Sequence, residues 1–501
     1  MNAHTHMPWR LLATGVAVIA TSGGAVTASA PPAQTAADSP LKLVAAAKSV
    51  TLTHSANQPV WFEPGVHVVA GEQPFEIWAR RDSYALPIRA EQAHVTPEGK
   101  RMEPLPDGLV TSLGGLPRFT HLTLKNKAGA TVLERDEDFC PNNSAVRGHP
   151  SAPASSPYPE GCSENPFALG SVWGIQQGWG VPAGTPWWQR EPVDLPDGTY
   201  SAEVRINTPY AQAFGIPVSH TSATVAVDVR TVAEEPPLDP ERAGRRESAS
   251  QWSATGPRPA PAAAPGGKAR SPEAQRPDLR VLPVWGVQIG AIGDASGHDR
   301  LSFNATVWTA GRSPLVVEGF RRAGEDVMEA HQYFYDEHGN ELGHEHVGAM
   351  SWDDRDGHQM WTFADLAVYR LLDARQQPIS TITADTACIL DTDAIDHTIE
   401  LARWRPGDSE PRSACGDRTS LGTRGVLNVG SGFTQVQLLP DQTFDITDQP
   451  NGVYYLQASA NPNGRLLESD TTNNVSLRKI ILGGRPGART VDVPPYEGIV
   501  G

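Results

Sequence analysis

A histidine, a methionine and a threonine alternate in one segment of the chain. Residues 351–373 read SWDDRDGHQMWTFADLAVYRLLD, and His358, Met360 and Thr362 stand there at every second position. On a β-strand alternate side chains lie on one face, which is the arrangement that a clustered metal site needs. Only His358 is an imidazole, whereas Met is a soft ligand suited to Cu(I) and a Thr hydroxyl is a poor ligand for Cu(II). The spacing is that of a metal site, but two of the three residue types are not.

More histidines lie just upstream. His344 and His346 are two residues apart and follow His331 and His338. Histidines at this spacing share one face of a strand and could form a relocated metal site with His358. The alternative is a solvated acidic hairpin, because residues 336–341 read DEHGNE, which is a turn sequence.

Other chemistries find less support in the sequence. No GxSxG motif indicates a serine hydrolase. Asp353, Asp354 and Asp356 could act as paired carboxylates in glycoside chemistry, although a structural role is the alternative. Four tryptophans could form a platform for stacking sugars, although core packing is the commoner use of this residue. They are Trp173, Trp179, Trp187 and Trp188.

Composition and the N-terminal sequence favour an exported protein. The chain has 501 residues and a formal net charge of −16, which argues against a nucleic-acid partner. Residues 1–30 read as a signal peptide, with Arg10 before an apolar run and a small-residue cleavage site at Ala28-Ser29-Ala30. An uncleaved anchor is the alternative. We therefore predict a secreted protein with no membrane span after cleavage.

Four cysteines in an exported chain predict two disulfides. Three pairings are possible. Because each half of the chain holds two cysteines around one polar loop, we predict Cys140–Cys162 and Cys388–Cys415.

The elements that carry these residues divide into two modules. Short β-branched and aromatic runs separated by turn signals predict a mainly β protein with two tandem β-sandwich modules, at 41–232 and 277–482. Residues 233–276 are rich in Pro and Ala and predict a disordered linker, and residues 483–501 predict a tail. Matching turns at 196–198 (Pro-Asp-Gly) and 450–452 (Pro-Asn-Gly) favour an internal duplication.

The second module resembles the lysyl oxidase family. The resemblance rests on residues 352–358 (WDDRDGH), on 444–447 (FDIT), on the Cys388 segment and on 468–475 (ESDTTNNV). It is weak over the first module, where it includes Gly178-Trp179-Gly180. Such a resemblance implies a secreted copper amine oxidase. These enzymes oxidise a primary amine with O₂ through lysine tyrosylquinone, a cofactor made from a Lys and a Tyr of the chain.

Family positions are replaced where the oxidase chemistry would occur. Two of the three copper histidines are Met360 and Thr362, so His358 is a remnant. Ala384 stands at the position of the cofactor lysine and Gln435 at that of the cofactor tyrosine. Copper and lysine tyrosylquinone are therefore not expected.

The calcium site of the family is, by contrast, intact. The resemblance implies a structural calcium ion that ties the start of the second module to its last hairpin. Carboxylate, amide and carbonyl oxygens are the ligands that calcium prefers. The residues at the matching positions are Asp278, Leu279, Glu468, Asp470, Asn473 and Asn474.

Taken together, the residues and the resemblance predict a secreted lysyl oxidase-like protein that has lost oxidase activity. It would act as a binding or scaffold protein on an extracellular protein or polysaccharide. Two alternatives remain open, which are a copper amine oxidase with displaced ligands and an extracellular carbohydrate-binding protein.

Overall fold

A computed structural model describes the chain in ten stretches. They are residues 40–96, 99–185, 190–232, 276–321, 325–336, 341–354, 359–363, 366–383, 388–402 and 413–498. The predicted signal peptide lies outside the described residues, and so does the predicted linker except for Arg276. The described residues are almost entirely β and form two modules.

Three sheets and one short helix build the described part of the first module. The strands are β1 Leu41–Ala45, β2 Ser49–Ser55, β3 Val66–Ala70, β4 Phe75–Arg80, β5 Arg89–Thr96, β6 Gly99–Pro104, β7 Leu116–Asn126, β8 Thr131–Phe139, β9 Val146–Arg147, β10 Gly170–Ile175, β11 Trp179–Pro182, β12 Gly198–Ile206 and β13 Ser222–Val232. The helix α1 spans Thr208–Ala213, and a 3-10 turn spans Val218–His220. The sheet orders are β1-β3-β11-β9, β10-β4-β5-β6 and β2-β13-β12-β7-β8.

The second module repeats this plan with three further sheets. Its strands are β14 Leu279–Val281, β15 Trp285–Ile289, β16 Arg300–Thr309, β17 Leu315–Arg321, β18 Val327–Tyr335, β19 Glu341–Asp353, β20 Met360–Thr362, β21 Ala367–Leu372, β22 Pro378–Thr383, β23 Asp393–Ala394, β24 Gly422–Leu427, β25 Ser431–Gln437, β26 Phe444–Asp445, β27 Gly452–Ala460, β28 Val475–Arg485 and β29 Ala488–Asp492. A 3-10 turn spans Pro440–Gln442. The sheet orders are β14-β16-β25-β23, β20-β19-β18-β17-β24 and β22-β21-β27-β28-β29.

Alternation in the sequence explains why these strands bury one face. In β12 (GTYSAEVRI) the side chains of Tyr200, Ala202, Val204 and Ile206 are buried, while the residues between them reach solvent. The same period places Tyr454, Leu456, Ala458 and Ala460 of β27 inside the second module. Each module thus holds its own large apolar core, as expected for two folded units.

The predicted tail, residues 483–501, does not behave as a tail. Residues 483–485 continue β28, and β29 pairs antiparallel with it, because the turn between them closes a hairpin with Gly484 and Gly487 at positive φ. Beyond β29, the ring of Tyr496 packs against Tyr84 and Phe167 of the first module, at centroid distances of 5.9 and 5.8 Å. The end of the chain therefore contributes to both modules.

The two modules meet in an apolar and hydrogen-bonded interface. The backbone N–H of Leu169 donates to the carbonyl of Ile395 (2.6 Å), and that of His397 donates to Gly170 (3.0 Å). Asn165 Nδ2 donates to Thr306 Oγ1 at 2.8 Å. The buried apolar side chains that share this contact are Phe167, Leu169, Leu282, Trp308 and Ile395. The modules therefore pack directly against each other.

Candidate functional site

Of the two described copper positions, Met360 is half-buried and Thr362 is buried and hydrogen-bonded. Strand β20 is the edge of a five-stranded sheet and pairs with β19. Thr362 is 5% exposed, and its hydroxyl donates to the carbonyl of Ser351 at 3.3 Å. On the opposite face Trp361 packs edge-on against Trp352 and donates to the carbonyl of Asp417. His358 lies outside the described residues, so the structure places only Met360 and Thr362 of the three.

Gln435 stands at the expected position of the cofactor tyrosine, on β25. Its side-chain oxygen accepts a hydrogen bond from the hydroxyl of Tyr369 at 2.5 Å. Tyr369 is fully buried among apolar residues, and burial raises the pKa of its phenol. Gln435 therefore satisfies a buried hydroxyl that would otherwise lack a partner. Ala384 lies outside the described residues.

Five of the six predicted calcium ligands converge at the start of the second module. Glu468 is 5% exposed and accepts from the backbone N–H of Leu279 at 3.0 Å. Its other oxygen accepts from Asn474 Nδ2 at 2.7 Å. Asp278 accepts from Asn473 Nδ2 at 3.0 Å. These bonds tie β14 to residues 461–474, the connection between β27 and β28, which we call the polar connection.

The sixth predicted ligand, Asp470, points elsewhere. It is exposed, and its carboxylate accepts from the N–H and hydroxyl of Thr472 at 2.8 and 2.7 Å. Those hydrogen bonds lower its pKa, with a further contribution from Arg280. Arg280 also donates to Asp278 at 2.9 Å. A cation at this place would share Asp278 with the guanidinium.

Two buried oxygens suit a hard cation in the polar connection. The Oδ1 atoms of Asn473 and Asn474 are buried and accept no hydrogen bond from any described residue. Burial raises the pKa of Glu468, although three hydrogen bonds oppose the shift. Unpartnered buried oxygens are costly, and Ca²⁺ takes oxygen ligands of this kind. The residues present therefore fit calcium, and the site itself stays a prediction.

Histidines of β18 and β19 come together on the outer face of their sheet. His331 is directly opposite His346, and Tyr333 is opposite His344. The ring of His331 lies 5.4 Å from that of His344 and 5.2 Å from that of His346. As the side chains stand, no three His, Cys, Asp or Glu residues within the described stretches are arranged to hold a metal ion. His338 lies outside those stretches.

The predicted sugar platform loses one member to the core. Trp173 is fully buried in the first module, because β10 is covered on both faces, so it cannot stack on a ligand. Trp179 is half-buried, and its indole N–H donates to the carbonyl of Pro153. Trp187 and Trp188 lie outside the described residues, as does Asp356 of the carboxylate group. The sequence did not single out Trp61, whose side chain is 60% exposed.

A polar cleft of the first module was missed at the sequence level. Its volume is about 280 Å³, and it is lined by His121, Thr123, Glu203, Arg205 and Asn207. His121 is held between Asp136 (2.8 Å) and Glu134 (3.0 Å), and the hydrogen bond to Asp136 is the main cause of its raised pKa. The alternating carboxylates of β8, Glu134 and Asp136, are visible in the sequence. Only the register of β7 and β8 shows that they face His121.

Comparisons with known proteins return no family and no curated relative. No model of a protein family matches the chain, and no curated protein does. Within the described residues no helix has the length and apolarity required to cross a membrane. Both predicted disulfides are present, Cys140–Cys162 and Cys388–Cys415, with Cα–Cα distances of 5.8 and 5.0 Å.

Proposed function

We propose that this chain is a secreted, non-catalytic protein of the lysyl oxidase type, which binds a partner outside the cell. The resemblance of the second module supports the type. The two disulfides support an oxidising compartment, where such bonds persist.

Gln435 carries the non-catalytic part of the proposal. A quinone cofactor starts from a phenol, and an amide can neither be oxidised to a quinone nor crosslinked through a ring. The structure gives Gln435 another task, since it accepts the hydroxyl of the buried Tyr369. Thr362 is likewise committed to a backbone carbonyl of β19.

The partner is proposed from the exposed polar surface. The cleft beside His121 presents charged and amide groups on one open sheet face, which suits the hydroxyls or carboxylates of a polysaccharide or the polar side chains of a protein. The strongly acidic chain disfavours polyanions such as nucleic acids. Calcium belongs to the proposal as a structural ion in the polar connection.

Copper loading tests the proposal directly. The purified chain is incubated with Cu²⁺ under oxygen, then treated with a hydrazine that traps quinone carbonyls. We expect no hydrazone absorbance and no hydrogen peroxide on addition of a primary amine. Stoichiometric copper together with a hydrazone band would overturn the proposal.

A restored variant serves as the matched control for that experiment. Met360→His, Thr362→His, Ala384→Lys and Gln435→Tyr together return the family residues to the positions that lack them. Appearance of a hydrazone band in this variant alone would show that the assay detects the cofactor in this fold. Residues that hydrogen-bond to the metal ligands also affect metal binding, so we expect a low yield of cofactor in this variant.

A further inference from the structure

The outer face of β18 and β19 carries three imidazoles in one patch, which we call the histidine patch: His331, His344 and His346. In an antiparallel pair, directly opposite residues have Cβ atoms about 4.5–5.5 Å apart, and residues two positions along a strand share its face. His331 stands opposite His346, and His344 is two residues from His346 on the same strand. Two ligands at i and i+2 plus one across the ladder is a compact three-nitrogen arrangement.

Two of the three ring spacings match what one metal ion would require. Zn–N bonds are about 2.0–2.1 Å long, so two imidazoles on one tetrahedral ion have ring centres roughly 5 Å apart. The ring of His331 is 5.2 Å from His346 and 5.4 Å from His344. The rings stand edge to face, at interplanar angles of 73° and 69°. Their nitrogens therefore converge only after rotation about side-chain bonds, while the backbone already has the required register.

The surroundings leave nitrogen lone pairs available. His331 Nδ1 is buried and has no hydrogen-bond partner within the described residues. Burial lowers the pKa of His331, and the neighbouring His344 and His346 lower it further. Neutral imidazole is the form that binds metals.

Neighbouring groups orient the rings and supply charge. Tyr333 stacks on His344 at 5.0 Å, and Phe320 packs edge-on against His331 at 5.8 Å. Glu329 lies 4.0 Å from His331 Nε2, and Glu318 is opposite His331 on β17, where it pairs with Arg424. Nearby carboxylates favour a bound cation and are typical partners of ligating histidines.

We propose that the histidine patch binds one divalent metal ion of the class that prefers imidazole ligands, and that Zn²⁺ is the ion it prefers. Three protein nitrogens and one open position for water complete a tetrahedral set. This patch shares no residue with positions 358, 360 and 362 or with the polar connection. It goes beyond the proposed binding function and does not depend on it.

Zinc titration of the full chain tests the proposal. His4→Gln and His6→Gln are introduced first, so that the N-terminal histidines do not bind metal. The chain is stripped with a chelator, dialysed, and titrated with Zn²⁺ in a calorimeter in the presence of excess Ca²⁺. We expect one equivalent to bind. Loss of an outer partner of a metal ligand typically costs about 10–100-fold in affinity. His331→Gln, His344→Gln and His346→Gln should therefore each weaken binding at least tenfold.

Controls separate the patch from other histidines and from misfolding. His346 is exposed, so His346→Gln should melt like the parent and still lose affinity. His298→Gln, at an exposed histidine bonded to Asp445, should leave binding unchanged. No stoichiometric binding, or one equivalent unaffected by His344→Gln and His346→Gln, would overturn the proposal.

Discussion

In the first module, β12 and β13 are joined by a short helix, and its Tyr210 and the adjacent Phe214 are buried in the core. The hydroxyl of Tyr210 lies within hydrogen-bond distance of the carbonyls of Leu109 and Pro117, at 2.9 and 2.6 Å, and can donate to either. In the second module, the corresponding connection between β27 and β28 is polar, with Glu468 and Asn474 buried and Asn473 half-buried instead. We call this connection the corner of each module. The first module fills its corner with aromatic rings, and the second fills it with oxygens that a cation can bind.

The scaffold around this corner is the same in both modules. The orders β13-β12-β7-β8 and β28-β27-β21-β22 correspond strand for strand. Tyr200 donates to the carbonyl of Pro196 and Tyr454 to that of Pro450, both at 2.7 Å.

The two hairpin turns match in the same way. Asn126 Oδ1 accepts from the second and fourth residues after it, both at 3.0 Å. Asp373 Oδ1 does the same at 2.8 Å. Hydrogen bonds to backbone groups are thus shared by the modules, which supports a duplication, while the corner filling differs.

The largest expected effect concerns acid and the interface between the modules. His397 is 5% exposed there, and burial lowers its pKa from 6.5 to about 4. A depressed histidine pKa contributes stability above pH 6.5 that is lost as pH falls toward 4. At 1.36 kcal/mol per pKa unit, this is about 3 kcal/mol. Denaturant unfolding at pH 7 and pH 4 should show this loss in the parent but not in His397→Gln.

Other buried groups near His397 act in the opposite direction. Burial raises the pKa of Asp391, Asp393 and Asp396, so their contribution is greatest in acid. The comparison of parent and variant removes that common contribution. In the first module, His121→Gln is the matched control, because the carboxylates around His121 raise its pKa and its stabilising effect is greatest below pH 6.5. An identical pH slope in the parent and His397→Gln would contradict the assignment.

Calcium should distinguish the two corners next. If the polar connection binds Ca²⁺, an excess of 100 times Kd stabilises the folded chain by about 2.7 kcal/mol. Scanning calorimetry of the full chain with calcium or with a chelator should show an upward shift of one transition. Asp278→Asn should abolish the shift, because Asp278 supplies a carboxylate to the site.

Two further variants frame the calcium experiment. Asp470→Ala changes an exposed residue and leaves the core undisturbed. A smaller calcium-dependent shift in this variant would show that Asp470 binds the ion. Asp107→Asn, in an exposed turn of the first module, should keep the full shift. Equal midpoints with calcium and chelator in the parent would show that the second corner is closed by hydrogen bonds alone.

The smallest expected effect tests the shared scaffold. Tyr200→Phe and Tyr454→Phe each remove one hydrogen bond to a proline carbonyl, which is worth about 0.5–1.5 kcal/mol. The two losses should be equal within error in denaturant unfolding of the full chain. Tyr455→Phe is the control, since the structure shows no hydrogen bond from its hydroxyl to a described residue. Unequal losses would mean that the two hydrogen bonds contribute differently to the stability of the two modules.

The sequence predicted what local chemistry determines. Alternating apolar residues and Pro-Asp-Gly turns predicted the mainly β modules, and the placement of Cys140 and Cys162 around one loop predicted their bridge. Both predictions are confirmed. The calcium ligands came from the resemblance, and the structure brings five of the six together without testing the ion itself.

What the sequence did not show depends on register and on distant packing. Nothing local marks Trp173 as buried or Tyr496 as a contact of the first module. The three histidines of the patch were visible as residues, but β-bulges at Ala330/His331 and Phe334/Tyr335 decide which of them face each other. Such shifts arise from the whole sheet and leave no signature in a short window.

The contact of Tyr496 with Tyr84 also has a kinetic consequence. The partners of this contact lie far apart in the chain, so we expect both modules to form before the rings meet. Docking then becomes a late, unimolecular event whose rate is independent of protein concentration. Until it occurs, we expect Phe167, Leu169 and Trp308 to be open to solvent, which would make newly made chains prone to aggregation.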